Sequence, residues 1–371
     1  MRLGHSVVVL CSTARPGIVP EKEMIGGVKV LCMPEFVGRR ARNGGLGPVD
    51  TLMRCAYLLG ERFDVVENFD HRPAVLYPAL VAKYLRRMPL VSEWTDLHGA
   101  GGSLSHRPRL TRGIIGPYEN FTERRSKKLP LKLIVISNGL RQRAVALGVP
   151  EAKIVLIPGG ADVDNILPRQ REEARKEFGL PLDRKIIAYS AGTLYDADLF
   201  LQTVSKIQKA RADVLLITTG SRLSAEQKRQ LEDPARIVEF GFLPYSNYAA
   251  LLPAADLFIF PFSNRPLNVG RWPNKIGDYM AAGRPTVSNR TGDLVELFHT
   301  HRIGLLADDN PQDFARKALQ MLSDDDLCAE LGINARKTAE GHYDWSILTK
   351  RLENCLVEAI AESNVSRDRT V

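Results

Sequence analysis

The chain has 371 residues, 44% of them apolar and 25% charged, with a net charge of +8 at neutral pH. That composition excludes disordered and fibrous classes, and the length suits two ordinary domains with separate cores. No apolar run reaches the roughly 18 to 20 residues that span a bilayer. The stretch at 7–12 is too short for a signal-peptide core, so a cytoplasmic protein is expected.

In chain order, short apolar runs read as strands at 6–11, 28–33, 64–69, 90–94, 133–137 and 154–158. A second series follows at 185–190, 214–219, 237–241, 257–262, 285–289 and 304–307. These runs lack polar alternation, as strands buried on both faces do. Helical periodicity fills the gaps, most clearly at 196–210, 311–322 and 345–362. The alternation predicts an α/β protein with parallel sheets. The opening "RLGHSVVVL" reads as the tail of a helix feeding a second strand, which leaves no room for a first strand and its Gly-rich turn.

A charged, proline-containing segment at 167–185 separates the two series and marks a domain boundary. The expected domains are therefore 1–166 and 167–345, with a C-terminal helix at 346–371 packing back on the first. Ligands of doubly wound sheets gather at the carboxyl ends of strands, so a site is expected in a cleft between the domains. Cys11, Cys32, Cys55, Cys328 and Cys355 have no metal-type spacing and read as reduced packing residues.

The positive charge is uneven. Residues 1–160 hold 24 Lys and Arg against 13 Asp and Glu (+11), whereas 161–371 hold 27 against 30 (−3). The basic half predicts an anionic partner, such as a phospholipid surface or polyprenyl phosphate. Nucleic acid is the weaker choice, because no binding motif accompanies the charge. The clusters are "GRRAR" (38–42), "YLRR" (84–87) and "TERRSKK" (122–128); a solvated helix face is the other reading of the last.

The segment "NVGRWPNKIGDYMAAGRPTVSN" (268–289) reads as loop, helix and strand. Its helix should begin near Pro273 and end at Gly283. Arg271 and Lys275 then sit at the positive end of the helix dipole, where cations are disfavoured, and no Ser, Thr or Asp precedes the proline as a cap. An anionic ligand would account for both oddities. Asp278 follows Lys275 by three residues, so an ordinary i,i+3 surface pair is the alternative.

The order of further motifs gives a resemblance. "GHSVVVL", "VISNGLRQRAVALGVPEAKIVLIPGGADVDNILP", "VEFGFLPYSNYAALLPAADLFIFPF", "PNKIGDYMAAGRPTVSN" and "TGDLVEL" occur in sequence. Together they resemble the retaining glycosyltransferases of family 4, over nearly the whole length. The resemblance implies the GT-B fold, two Rossmann-like doubly wound parallel-sheet domains facing a cleft. It implies transfer from a nucleoside diphosphate sugar to a hydroxyl acceptor, lipid-linked or at an anionic membrane surface, in polysaccharide or glycolipid synthesis. The resemblance implies no cofactor or metal, because in that family protein cations stabilise the leaving diphosphate.

Carried onto this sequence, the resemblance places Arg271 and Lys275 at the donor diphosphate, Asp278 at the ribose and Asn274 among the donor-binding residues. Phe242 and Leu243 would lie beside the base, as an apolar wall with main-chain donors and acceptors; a plain strand-to-helix turn is the other reading. In the first domain Asp96 and His98 suit acceptor orientation or proton handling, and His71 and Arg72 suit acceptor binding. Loop capping is the plainer reading of both pairs. Two departures stand out. Gly270 occupies the position of the first acid of the family's E-x7-E pattern, and Thr193 replaces the arginine of its usual basic pair. A nucleotide-sugar epimerase and a catalytically impaired nucleotide-sugar-binding protein are the competing functions.

Overall fold

The structure is a computed structural model that describes residues 3–13, 17–38, 45–99, 101–106, 108–192 and 196–368. Thr193 and positions 39–42 of "GRRAR" lie outside the described residues. The chain divides into two compact units, Met1–Ile136 with Leu140–Leu156 and Leu352–Val371, and Ser137–Gly139 with Ile157–Arg351. The division at 156/157 lies ahead of the charged 167–185 segment. Ala161 already belongs to the second unit, where its N–H donates to the Tyr343 carbonyl at 2.7 Å.

The first unit contains two sheets. β1 (Val8–Ser12) runs parallel to β3 (Val28–Met33), and β2 (Glu21–Ile25) pairs with β3 antiparallel. β2 escapes sequence reading because all five of its residues are exposed. Gly26 and Gly27, both at positive φ, make its two-residue turn to β3. The second sheet is parallel throughout, in the order β4 (Val66–Phe69), β5 (Leu90–Trp94), β6 (Lys132–Val135) and β7 (Ile154–Leu156). Trp94, Leu133, Val135, Leu140 and Val149 are buried together beside it. The segment Leu352–Val371 counts with this unit, and Lys132 Nζ pairs there with Glu358 (3.2 Å) and Glu362 (2.8 Å).

The second unit carries a six-stranded parallel sheet formed by β8 (Lys185–Ala191), β9 (Val214–Gly220), β10 (Ile237–Gly241), β11 (Leu257–Phe260), β12 (Thr286–Asn289) and β13 (Gly304–Ala307). Their order is β10-β9-β8-β11-β12-β13, the doubly wound arrangement in which chain progression reverses between β8 and β11. Ile187, Leu216 and Ile259 of the strands pack against Phe200 and Val204 of helix Ala197–Ala210 and Phe314 of helix Pro311–Leu322. Strands buried this way on both faces explain the unbroken apolar runs in the sequence. Among the described residues no helix is long and apolar enough to cross a membrane.

Candidate functional site

In the second unit the helix of interest runs Asn274–Ala281. Pro273 is its N-cap, not its first helical residue, because ψ of 98° keeps it extended. The start has no side-chain cap and no acid in its first turn. The Pro273 carbonyl accepts from Ile276 at 2.9 Å, so the Asn274 and Lys275 N–H groups are the ones left to the first turn's open end. Gly283, at φ +66°, closes the other end.

Arg271 leads into this start from the short helix Pro266–Val269, and its N–H donates to the Asn268 carbonyl at 3.0 Å. The next residue anchors the turn: the buried Trp272 ring stacks on Tyr343, centroids 5.1 Å apart. Asn274 is exposed, and its side chain crosses Gly159, where any Cβ would collide with it. Gly277 similarly has no room for a Cβ beside the Gly160 carbonyl. The "PGGA" backbone thus approaches the helix as only glycines allow.

Lys275 and Asp278 do meet, at 3.5 Å, but not as an isolated surface pair. Beneath them lies buried Tyr248, whose hydroxyl donates to Asp278 Oδ2 at 2.8 Å. Lys275 Nζ is 3.4 Å from that hydroxyl and 4.7 Å from the ring centre. Burial raises the Asp278 carboxyl above its ordinary range, against the pull of Lys275 and the Tyr248 hydrogen bond. On the same helix turn Tyr245 donates to Asp162 Oδ2 at 2.5 Å. The spacing of Tyr245 and Tyr248, three residues apart, is the signal that sequence reading passed over.

Gly270 offers no side chain, and its carbonyl accepts from Ser137 Oγ at 3.1 Å. Phe242 projects into solvent at 78% exposure just past β10, with Leu243 half-buried beside it. At the switch point after β8 stands Asp196. Its charge is met by Arg265 at 2.9 Å, Ser263 Oγ at 2.5 Å and Asn268 Nδ2 at 3.2 Å. A carboxylate therefore occupies this crevice already neutralised.

The first unit holds a denser cluster at the carboxyl ends of β4 and β5. Its centre is Asp70, at left-handed φ of +65°. Asp70 Oδ2 accepts from Thr95 Oγ1 at 2.7 Å and lies 3.1 Å from His98 Nε2. With that nitrogen donating to Asp70, His98 Nδ1 faces Arg72 Nη2 at 3.2 Å and Ser103 Oγ at 3.3 Å. Arg72 also pairs with Glu119. Burial would raise the Asp70 carboxyl, but hydrogen bonds from His98 and Thr95 and the Lys127 charge hold it well below the usual range.

These contacts correct the expected roles. The carboxylate on His98 is Asp70, whereas Asp96 presents its carbonyl to the Trp94 indole N–H at 2.9 Å. Both His98 nitrogens are engaged, so the ring is a positioned strut and not an open proton carrier. His71 is wholly enclosed, 3.4 Å from Glu119, and burial pushes its imidazole down. Arg72 does hold the N-cap of helix Pro73–Leu80, with no capping side-chain bond. Lys127, expected on a basic outer face, is 1% exposed: its Nζ sits 4.8 Å over the Trp94 ring and 3.9 Å from Asp70. Burial pushes its ammonium down to about 8, against Asp70 and Glu123. Among the described residues no group of three or more His, Cys, Asp or Glu is arranged to hold a metal ion.

Comparison with known proteins follows this geometry. Residues 1–160 match the family described as glycosyl transferase 4-like domain, and 185–324 match glycosyl transferases group 1. The chain belongs to the family-4-like glycosyltransferases of GT-B fold. It is 28% identical over 210 residues to the GDP-mannose-dependent monoacylated alpha-(1-6)-phosphatidylinositol monomannoside mannosyltransferase of Corynebacterium glutamicum, covering 54% of this chain and 55% of that one. It is likewise 28% identical over 228 residues to a D-inositol 3-phosphate glycosyltransferase of Corynebacterium kroppenstedtii, covering 57% and 49%. The chain thus spans about half the length of these relatives. In fold it is similar to sucrose-phosphate synthase from Thermosynechococcus elongatus (TM-score 0.76, 16% identity, 97% and 90% coverage). Anabaena Alr3699/HepE, solved with UDP and glucose, gives 0.70, 16%, 95% and 99%.

Proposed function

We propose that this protein is a retaining glycosyltransferase that moves a sugar from a nucleoside diphosphate sugar to a hydroxyl acceptor. The observation that carries the reading is the start of helix Asn274–Ala281, uncapped, free of acids and flanked by Arg271 and Lys275. A diphosphate there would accept the open N–H groups and meet the positive end of the dipole. Asp278 would hold the ribose through Oδ1, since Tyr248 and Lys275 engage its Oδ2. Phe242 and Leu243 would flank the base.

Charge developing on the leaving diphosphate is then stabilised by Arg271, Lys275 and the helix start. The acceptor hydroxyl attacks the face from which the diphosphate departs and passes its proton to a phosphate oxygen. This scheme asks for no metal and no protein base. In the first unit, Arg72 and His98, both partly exposed, are assigned to acceptor orientation, with Asp96 beside them. The names of the relatives point to GDP-mannose as the first donor to try and to inositol-containing lipid acceptors. A peripheral membrane position fits helix Arg109–Ser126. It exposes Leu110, Ile114 and Phe121 near the outward Arg124 and Arg125, with Lys128 just beyond.

The test begins with thermal shifts on a panel of UDP-, GDP- and ADP-sugars, followed by transfer assays in chelator. Retained anomeric configuration in a chelator-resistant product is expected. Loss of transfer on chelation, restored by magnesium or manganese, contradicts the cation clamp. A second reading, a binding protein impaired in catalysis, draws on Gly270, which gives no side chain to a transferred sugar; binding without transfer supports it. Conversion of donor alone would show an epimerase.

A further inference from the structure

We infer that Cys11 and Cys32 form a modification site, a thiol pair that closes to an intramolecular disulfide under mild oxidation. The two are register partners on the adjacent parallel strands β1 and β3, with Sγ atoms 2.8 Å apart. Neighbouring strands lie about 4.7–4.9 Å apart. That spacing falls within the Cα separation of about 4.4–6.8 Å that a disulfide bridges. Both residues are half-buried, so a small oxidant can reach them. By contrast, Cys328 is buried with its thiol donating to the Met321 carbonyl at 3.0 Å, and Cys355 is buried.

The backbone on either side is already fixed. Thr13 N–H donates to the Met33 carbonyl at 3.1 Å. Ser12 Oγ donates to Asp50 Oδ2 at 2.5 Å and accepts from Arg54 Nη2 at 2.9 Å. Closing the bond therefore asks for a small side-chain movement, with loss only of the weak Cys11 contact to the Leu31 carbonyl at 3.7 Å. The loop so closed carries β2, which is wholly exposed and pairs with β3 alone among the described strands. A bond between Cys11 and Cys32 would hold β1 on β3 independently of that edge strand, by restricting the unfolded chain.

Burial and the neighbouring thiol push the Cys11 thiol up to about 12. With oxidised glutathione as oxidant, the Cys32 thiolate attacks one glutathione sulfur, the glutathione S–S bond breaks, and one glutathione thiolate leaves. Cys11 then gives up its proton and attacks Cys32 Sγ, releasing the second thiolate. The two cysteine protons end on two glutathione thiols, the protein loses two electrons, and the glutathione disulfide gains them.

The full chain is equilibrated with graded ratios of oxidised to reduced glutathione, alkylated, digested and mapped by mass spectrometry. A peptide cross-linked between Cys11 and Cys32 is expected before any other pair, together with a rise in Tm that dithiothreitol reverses. Cys11→Ser and Cys32→Ser should give mixed glutathione adducts at most, and no rise. The mapping of the unmodified chain needs no variant to fold. Both thiols remaining alkylatable at the most oxidising ratio, or adducts without the cross-link, would overturn the inference. A cross-link that leaves Tm unchanged would overturn its role in holding β1 to β3.

Discussion

The two charged regions of this protein solve opposite problems. In the first unit the charges of Asp70, Arg72, His98, Glu119 and Lys127 compensate one another. In the second unit the start of helix Asn274–Ala281 gathers cations with no acid in its first turn. A closed network spends its charges on shape, whereas an uncapped helix start leaves N–H groups open to an anionic ligand. The difference separates residues that position from residues that bind, although both sets look alike as motifs.

Breaking the closed network should cost the most. Asp70→Ala leaves a buried ammonium at Lys127 and removes the His98 partner, which is expected to destabilise the protein by about 3–5 kcal/mol. The urea midpoint measures it. Adding Lys127→Met should recover part of the loss, because removing both charges is far less costly than stranding one. If Asp70→Ala alone has no effect, the network is not the strut described.

Tyr248→Phe comes next. Loss of its hydrogen bond to Asp278 should weaken ribonucleotide binding by about 0.5–1.5 kcal/mol, roughly two- to tenfold, with the fold intact. Titration calorimetry decides it, and unchanged affinity would detach Tyr248 from the site.

A pH effect belongs to the first unit. Burial, aided by nearby carboxylates, raises Glu67 and Glu93 to about 7. Their unfolded counterparts release protons near 4.5, so between about 4.5 and 7 the folded form binds more protons than the unfolded. Stability from this pair should therefore fall as pH rises through that window. Glu67→Gln with Glu93→Gln should flatten the decline in Tm between pH 5 and 7; an unaltered slope would assign it elsewhere.

A smaller effect per residue is expected at the surface. Replacing Arg124, Arg125 and Lys128 by Ala should reduce sedimentation with anionic vesicles, each side chain contributing about 1 kcal/mol at low salt. Equal binding to neutral vesicles would remove the electrostatic basis.

The sequence was most legible where burial was uniform. β3, β5, β10 and β13 coincide with their apolar runs. β2 was lost because exposure on both faces erased its period, although Gly26 and Gly27 carried a hairpin signal. At the helix start, Lys275 and Asp278 were readable because local spacing alone brings them together. The Asp70 cluster was not, since Asp70, His98 and the helix that carries Glu119 and has Lys127 as its C-cap are far apart in sequence and meet only through packing. The same limit misplaced Lys127: "RRSKK" reads as one basic face, yet one lysine turns inward onto Trp94.

The central claim is that the Asn274 helix start holds a diphosphate. Its most direct measurement is the affinity of UDP or GDP, whichever binds the unmodified protein, beside that of the parent nucleoside, for Arg271→Ala and Lys275→Ala. Each variant should bind the diphosphate about ten- to a hundredfold more weakly, the loss of a charge-assisted contact of about 1.5–3 kcal/mol. Nucleoside affinity and Tm should stay unchanged. Undiminished diphosphate binding in both variants, or an equal loss for nucleoside and diphosphate, would contradict the account.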